Sequence, residues 1–131
     1  MKVLDASFLI DYDDGVTEAK DYLLAHPDEE FLLPSVIFTE FLLGDVHSTS
    51  PTDLPAMQQN VSWADVYPID EQTAVTAAEV ADDIDSQGPK LNAIDALVAA
   101  VARETGGTVV SNDRHLTSPR TKKVVDVDEY R

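Results

Sequence analysis

Short apolar runs alternate with helix-like patterns along the whole chain. Five runs have the length and composition of strands, and they lie at residues 3–4, 31–33, 66–69, 108–111 and 123–127. Between them, apolar residues recur every three or four positions, as in Ala74, Ala77, Ala78 and Ala81. Strands that alternate with helices are typical of an α/β fold with a parallel sheet, and we predict this class.

Cap and breaker residues set the expected ends of the helices. Ser35 is a suitable N-cap for a helix that Gly44 would end, and Asp70 is a suitable N-cap for the longest helix. Gly106 and Gly107 would close an Ala-rich helix. Six helices are therefore expected, at residues 6–12, 17–25, 35–43, 54–60, 70–85 and 92–105.

Four acidic residues stand at the edges of apolar segments: Asp5, Glu40, Asp95 and Asp113. Glu40 is the only charged residue among the fourteen residues from 31 to 44, a segment whose pattern predicts burial. A buried carboxylate is costly unless a partner compensates its charge, and no buried Lys or Arg is expected nearby. A divalent cation, which takes hard oxygen ligands, is the partner that remains.

The predicted topology brings these four acids together. Asp5 and Asp113 follow the carboxyl ends of two strands. Glu40 lies in the helix after the second strand, and Asp95 lies in the first turn of the helix that precedes the fourth strand. In open α/β sheets, ligands bind outside the carboxyl ends of the strands. The pattern therefore predicts one site at this edge.

Each acid also has a simpler structural interpretation, except one. Asp5 or Ser7 alone would serve as an N-cap, Asp95 would complement a helix dipole, and Asp113 suits an ordinary turn. For Glu40, a capping box from Ser35 would need the acid at position 38, which is Phe. These alternatives stay open at the level of sequence.

The charge balance limits the surroundings in which the protein works. Its net charge is −16, from 25 acidic and 9 basic residues among 131. Such a surface repels nucleic acid in ordinary salt, so either the partner is not a polyanion or the protein works in concentrated salt. The acids are dispersed as in proteins of extreme halophiles, and we favour the second explanation because at about 1 M salt the Debye length is about 3 Å.

Composition also excludes several classes of protein. The absence of cysteine excludes disulfides and thiolate metal sites. Early acids exclude a secretory signal, and no apolar run is long enough to span a membrane. With 44% hydrophobic residues the chain is expected to fold, as a soluble cytoplasmic protein with one domain over residues 1–131.

Four segments resemble the PIN domains, most closely the short VapC-type toxins of toxin–antitoxin pairs. They read VLDASFLID, TEFLLG, NAIDALVAAVA and VVSNDRHL. The resemblance implies a three-layer α/β/α fold with a mostly parallel central sheet. It implies catalytic, metal-binding acids at Asp5, Glu40, Asp95 and Asp113, with supporting groups at Ser7, Ser111 and Asn112. No motif position is lost, which argues against a non-catalytic member.

The same resemblance implies an activity and partners. The family's activity is Mg²⁺- or Mn²⁺-dependent endoribonuclease cleavage, which is chemistry that carboxylate-held cations supply. An RNA substrate, an antitoxin protein and a homodimer are implied with it. Many relatives are far less acidic, so their substrate contacts do not carry over.

One basic segment is a candidate RNA-facing rim. Four of the nine basic residues and one histidine fall within residues 114–125, which contain no acid: Arg114, His115, Arg120, Lys122 and Lys123. An exposed loop with no function is an equal alternative, and for His115 a solvated loop residue is the simpler interpretation.

Two other functions share part of this pattern. A housekeeping PIN-type RNA-processing nuclease would show the same residues. A receiver-type phosphoacceptor domain also gathers acids at strand ends, but it would need an adjacent acid pair where Asp5 is followed by Ala6 and Ser7.

Overall fold

A computed structural model describes all residues, Met1–Arg131, as five strands and six helices. The strands are β1 (Lys2–Leu4), β2 (Phe31–Pro34), β3 (Asp65–Tyr67), β4 (Thr108–Ser111) and β5 (Val127–Glu129). The helices are α1 (Ala6–Asp13), α2 (Thr17–Ala25), α3 (Ser35–Val46), α4 (Leu54–Asn60), α5 (Glu71–Asp83) and α6 (Ala93–Thr105). The predicted α/β class is confirmed.

All neighbouring strands of the sheet are parallel, in the order β3-β2-β1-β4-β5. The chain therefore moves outward from β1 to β3, and then returns through α5 and α6 to place β4 on the other side of β1. The strand order reverses between β1 and β4. A crevice at such a reversal, outside the carboxyl ends of the strands, is where open α/β sheets bind ligands.

The central strands are short and are buried except at their first residues. Val3 and Leu4 of β1 and Val109 and Val110 of β4 have no exposed surface. Strands covered on both faces consist of continuous apolar runs rather than alternating ones, as the sequence has here. Helix α6 packs on β1, β2 and β4, and its small residues between 96 and 102 permit that close approach. This packing holds the start of α6 near the strand ends.

The start and end of α3 differ from the prediction. Pro34 is the N-cap residue, and Ser35 lies inside the helix, where its hydroxyl accepts a hydrogen bond from the backbone N–H of Ile69. The helix does not end at Gly44 but continues to Val46, with His47 as its C-cap. Glycine in an exposed helix costs only about 1 kcal/mol relative to alanine, and this cost is too small to end α3 at Gly44.

Three other elements begin or end two or more residues from their predicted bounds. The last strand is Val127–Glu129 rather than 123–127, because residues 117–125 form turns tied by the buried Thr121. Strand β3 begins and ends earlier than predicted, and α5 ends at Asp83, before residue 85. Asp70 caps α5 and Gly106 ends α6, as predicted, and the structure adds a capping box at Asp70 and a left-handed conformation at Gly106. None of the six helices combines the length and the apolarity that crossing a membrane would require.

Candidate metal centre at the carboxyl edge of the sheet

Asp5 lies between β1 and α1 and is almost completely buried, with 5% of the residue exposed. It caps α1: Oδ1 accepts a hydrogen bond from the backbone N–H of Ser7 at 3.0 Å, and Oδ2 accepts one from the Ser7 hydroxyl at 3.1 Å. Ser111 donates a third, short hydrogen bond to Oδ2. Burial raises the pKa of Asp5, although these donors oppose the rise and the charge of Asp113 adds to it.

Two hydroxyl groups join the end of β4 to the start of α1. The fully buried Ser111 accepts a hydrogen bond from the backbone N–H of Asp113 at 2.9 Å while its hydroxyl donates to Asp5. Ser7 accepts one from the backbone N–H of Asn112 at 3.0 Å. The predicted supporting groups thus lie together, but Asn112 takes part through its backbone and not its side-chain amide. No buried side-chain polar atom lacks a partner.

Asp113 forms a turn directly after β4. Its Oδ2 accepts hydrogen bonds from the backbone N–H groups of His115 at 2.9 Å and Leu116 at 3.1 Å. Leu116 is fully buried in the core and anchors the turn. The turn-forming interpretation of Asp113 is therefore correct, and it leaves Oδ1 free of protein hydrogen bonds. The turn aims this half-buried carboxylate toward the start of α6.

Asp95 occupies the first turn of α6, which begins at the N-cap Asn92. The Asn92 side chain accepts a hydrogen bond from the Asp95 backbone N–H at 2.8 Å, whereas the Asp95 carboxylate has no hydrogen-bond or ion-pair partner. Burial, followed by the charges of Asp113 and Asp5, raises the pKa of Asp95 to about 6. Nearby His115 lowers that pKa and Glu40 raises it. The surroundings of the carboxylate are therefore mainly negative, and no hydrogen bond or ion pair compensates its charge.

Asp95, Asp113 and His115 form a compact group of possible metal ligands. One ligand atom from each lies within 4.8 Å of the others, and all three side chains are half-buried. Two carboxylates at this spacing repel each other unless a cation lies between them, and hard oxygen donors suit a divalent ion. The chemistry of the donor set therefore fits a divalent metal. Asp5 and Glu40 lie outside this compact group.

Glu40 corrects one sequence argument. Its side chain is exposed on α3, so the expectation that its position requires burial is wrong. The apolar residues around it fill two faces of the helix: Ile37 and Phe41 pack inward, while Leu43 is 47% exposed. Glu40 is nevertheless near enough to raise the pKa of Asp95. It stands on the rim of the centre rather than within it.

The residues of the candidate basic rim lie in the turns that follow β4, and two of them form ion pairs. Arg120 pairs with Asp85 at 3.0 Å, and Lys122 pairs with Glu129 at 3.5 Å. Arg114 and Lys123 are exposed and have no ion pair. His115 turns toward the two acids instead, which the solvated-loop interpretation did not anticipate. Its spacing of two residues from Asp113 was the only signal in the sequence.

An apolar groove opens beside the acids. It lies between α1 and α3 with a volume of about 320 Å³, and its wall includes Leu9, Ile10, Ile37, Phe41 and Leu43. Ile10 is 56% exposed, which is high for a large aliphatic side chain. A second cavity continues from it, and its lining includes four acids: Asp13, Asp14, Glu40 and Asp45. The groove is apolar along its floor and acidic at one end.

The family model that describes the PIN domain matches residues 2–121. The chain belongs to the PIN domain family. The match covers every element from β1 to β4 and the turn with Asp113. It ends before β5 and before Tyr130, which directly follows that strand and donates a hydrogen bond to the Ser7 carbonyl group.

Solved structures share this PIN fold over their full length. FitAcB from Neisseria gonorrhoeae is 19% identical with a TM-score of 0.81, covering 99% of this chain and 98% of that one. DNA-bound VapBC from Salmonella typhimurium is 16% identical with a TM-score of 0.78, covering 99% and 98%. A toxin–antitoxin complex from Klebsiella pneumoniae is 18% identical with a TM-score of 0.77, covering 100% and 98%. A comparison with curated proteins found no match.

Proposed function

We propose that this PIN domain, taken as one domain over residues 1–131, is a divalent-metal-dependent endoribonuclease and the toxin of a type II toxin–antitoxin pair. The observation that carries the proposal is the uncompensated Asp95 carboxylate beside Asp113 at the strand-order reversal of a PIN fold. Asp113 has a structural role in its turn, but protein folding alone gives no reason to leave the half-buried Asp95 carboxylate beside it without a partner.

Four acids take different parts in this proposal. Asp95 and Asp113 would hold the ion, and Mg²⁺ or Mn²⁺ would supply polarisation of the phosphate and a more acidic bound water. Asp5 adds negative charge and fixes the Asp113 turn through Ser111. Glu40, on the rim, would orient water or substrate. No cysteine is present, so the chemistry needs no thiol.

RNA is the proposed substrate despite the charge of −16. Arg114 directly follows Asp113 and is free of ion pairs, so it is available for a phosphate near the cleaved bond. Lys123 is equally free, whereas Arg120 and Lys122 would have to exchange acidic partners for phosphate. Concentrated salt would screen the rest of the acidic surface.

An antitoxin is the proposed partner of the groove between α1 and α3. Proteins of the same fold have been solved as toxin–antitoxin complexes. An apolar segment would cover Ile10 and Leu43, and basic residues at its end would meet the acids around Glu40. A segment bound there would stand beside the metal centre and block RNA.

A homodimer is the proposed assembly. Exposed alanines of α5, among them Ala74 and Ala78, form an apolar cleft of about 310 Å³ with Leu91 and Leu97. Small residues allow two helices to approach closely, which suits a second copy of this face. Sedimentation over a range of protein concentrations would test it, and a monomer at every concentration would exclude it.

Cleavage of labelled RNA by purified protein tests the function. In molar KCl with Mn²⁺, we expect single-stranded or structured RNA to be cut, with no effect of thiol reagents and no cutting in chelator. Failure to cut either kind of RNA, in protein free of any antitoxin, would contradict the enzyme proposal.

A further inference from the structure

His115 is the one nitrogen donor beside the proposed metal ligands. Its ring lies within 4.8 Å of ligand atoms on Asp95 and Asp113, yet no hydrogen bond or ion pair joins the ring to either carboxylate. A simple counter-charge would be expected to approach a carboxylate to hydrogen-bonding distance. Metal bonds of about 2.1 Å place opposite donors about 4.2 Å apart, so the spacing suits ligands that share one ion.

The backbone of His115 is held from both sides. Its N–H donates to Asp113 Oδ2 at 2.9 Å, and its carbonyl group accepts a hydrogen bond from the Thr121 hydroxyl at 2.7 Å. Thr121 is fully buried, and so is Leu116, which directly follows His115. A solvated loop histidine has no need of such anchoring, whereas a metal ligand gains affinity when its position is fixed before binding.

We propose that a ring nitrogen of His115 completes the ligand set of Asp95 and Asp113, and that the site therefore prefers a first-row transition-metal ion to Mg²⁺. Mg²⁺ is bound mainly by oxygen ligands and keeps several of its waters, so an imidazole adds little to its binding. Imidazole nitrogen binds first-row transition metals well, and Mn²⁺ stands at the weak end of that series. A preference for Mn²⁺ over Mg²⁺ is therefore a stringent test of the imidazole ligand, because the other ions of the series bind imidazole more tightly. This inference rests on the proposed metal site but does not depend on RNA being the substrate.

Electron spin-echo spectroscopy of the Mn²⁺-loaded protein tests the ligand directly. Coordinated imidazole nitrogen modulates the echo of bound Mn²⁺, and we expect this signal in the parent protein. His115→Gln should lose the signal, while His47→Gln, which alters an exposed histidine at the end of α3, should retain it. A parent protein that binds Mn²⁺ without nitrogen modulation would overturn the proposal.

Calorimetric titration tests the preference. His115→Gln should weaken Mn²⁺ binding about tenfold or more and change Mg²⁺ binding by less than about threefold, whereas His47→Gln should alter neither. Equal losses for both ions would contradict the preference, and unchanged Mn²⁺ affinity would contradict the ligand. RNA cleavage is measured separately. A nitrogen signal without cleavage would refute only the nuclease proposal, and cleavage without the signal only the role of His115.

Discussion

Replacing Asp95 with Asn separates a metal ligand from an acid that stabilises the fold. The Asp95 carboxylate accepts no hydrogen bond, so the amide keeps the shape of the side chain and removes only its charge. The Asn92 cap binds the backbone N–H of residue 95 and is retained in the variant. Any change in stability therefore reports the electrostatic surroundings.

The size of the effect follows from the pKa of Asp95. A pKa of about 6, against the ordinary value of 3.8, corresponds to about 3 kcal/mol of destabilisation by the ionised form. Solvent screening at this half-exposed site reduces the figure to about 1–1.5 kcal/mol. The variant also loses the favourable interaction with the helix dipole, about 0.3–1 kcal/mol. We expect a net gain of about 0.5 kcal/mol at neutral pH.

The sign of the pH dependence is fixed by the direction of the shift. A carboxyl group with a raised pKa in the folded state favours folding when it is protonated. Asp95 therefore contributes its full stability below pH 3.8, and the parent loses that contribution as pH rises through about 6. The Asn variant cannot ionise. It should be no more stable than the parent in acid, and its stability relative to the parent should increase as the pH rises through about 6.

Urea denaturation in chelator measures this difference from pH 4 to pH 8 (about four values suffice to define the curve). Asp21→Asn is the matched control, because it removes the same charge from an exposed position on α2 and reports the general relief of self-repulsion. A variant clearly less stable than Asp21→Asn at pH 8, or a stability difference that does not change with pH, would refute the reasoning. Asp95 would then be a structural acid.

Three further predictions concern metal, the buried hydroxyl and salt. Mn²⁺ at about one hundred times its Kd should stabilise the parent by about 2.7 kcal/mol in thermal melts and should stabilise Asp95→Asn much less. Equal stabilisation of the two proteins would show that Mn²⁺ binds at another site. Ser111→Ala should lower the free energy of unfolding by about 1–3 kcal/mol, because it removes a donor to Asp5 and leaves the Asp113 N–H without its acceptor; a neutral result in urea denaturation would show that water replaces the hydroxyl. The Tm should rise between 0.1 and 3 M KCl (about a thirtyfold range) because salt screens the charge of −16, and a constant Tm would refute adaptation to concentrated salt.

The sequence predicted the fold well where apolar runs and caps coincide. Helices α2 and α4 and strand β4 have the predicted bounds, and Asp70 and Gly106 mark the expected ends. The prediction was wrong where tertiary contacts override local signals. Gly44 continues α3, and the apolar residues at 124 and 125 pack from a turn rather than from a strand.

The site was predicted only in part because burial and turn geometry are not local properties. Asp5 is the deeply buried acid, although the sequence pointed to Glu40, which is exposed. The orientation of His115 depends on hydrogen bonds from its backbone to Asp113 and from Thr121 to its carbonyl group, and no pattern of residues announces them. The assignment of metal ligands remains a prediction.

Anomalous diffraction from crystals soaked in Mn²⁺ tests the central claim most directly. The account predicts a peak between the carboxylates of Asp95 and Asp113, present in the parent protein and lost in Asp95→Asn while the fold is unchanged. A parent crystal that shows Mn²⁺ only at other surface acids, with no peak between these two residues, would contradict it.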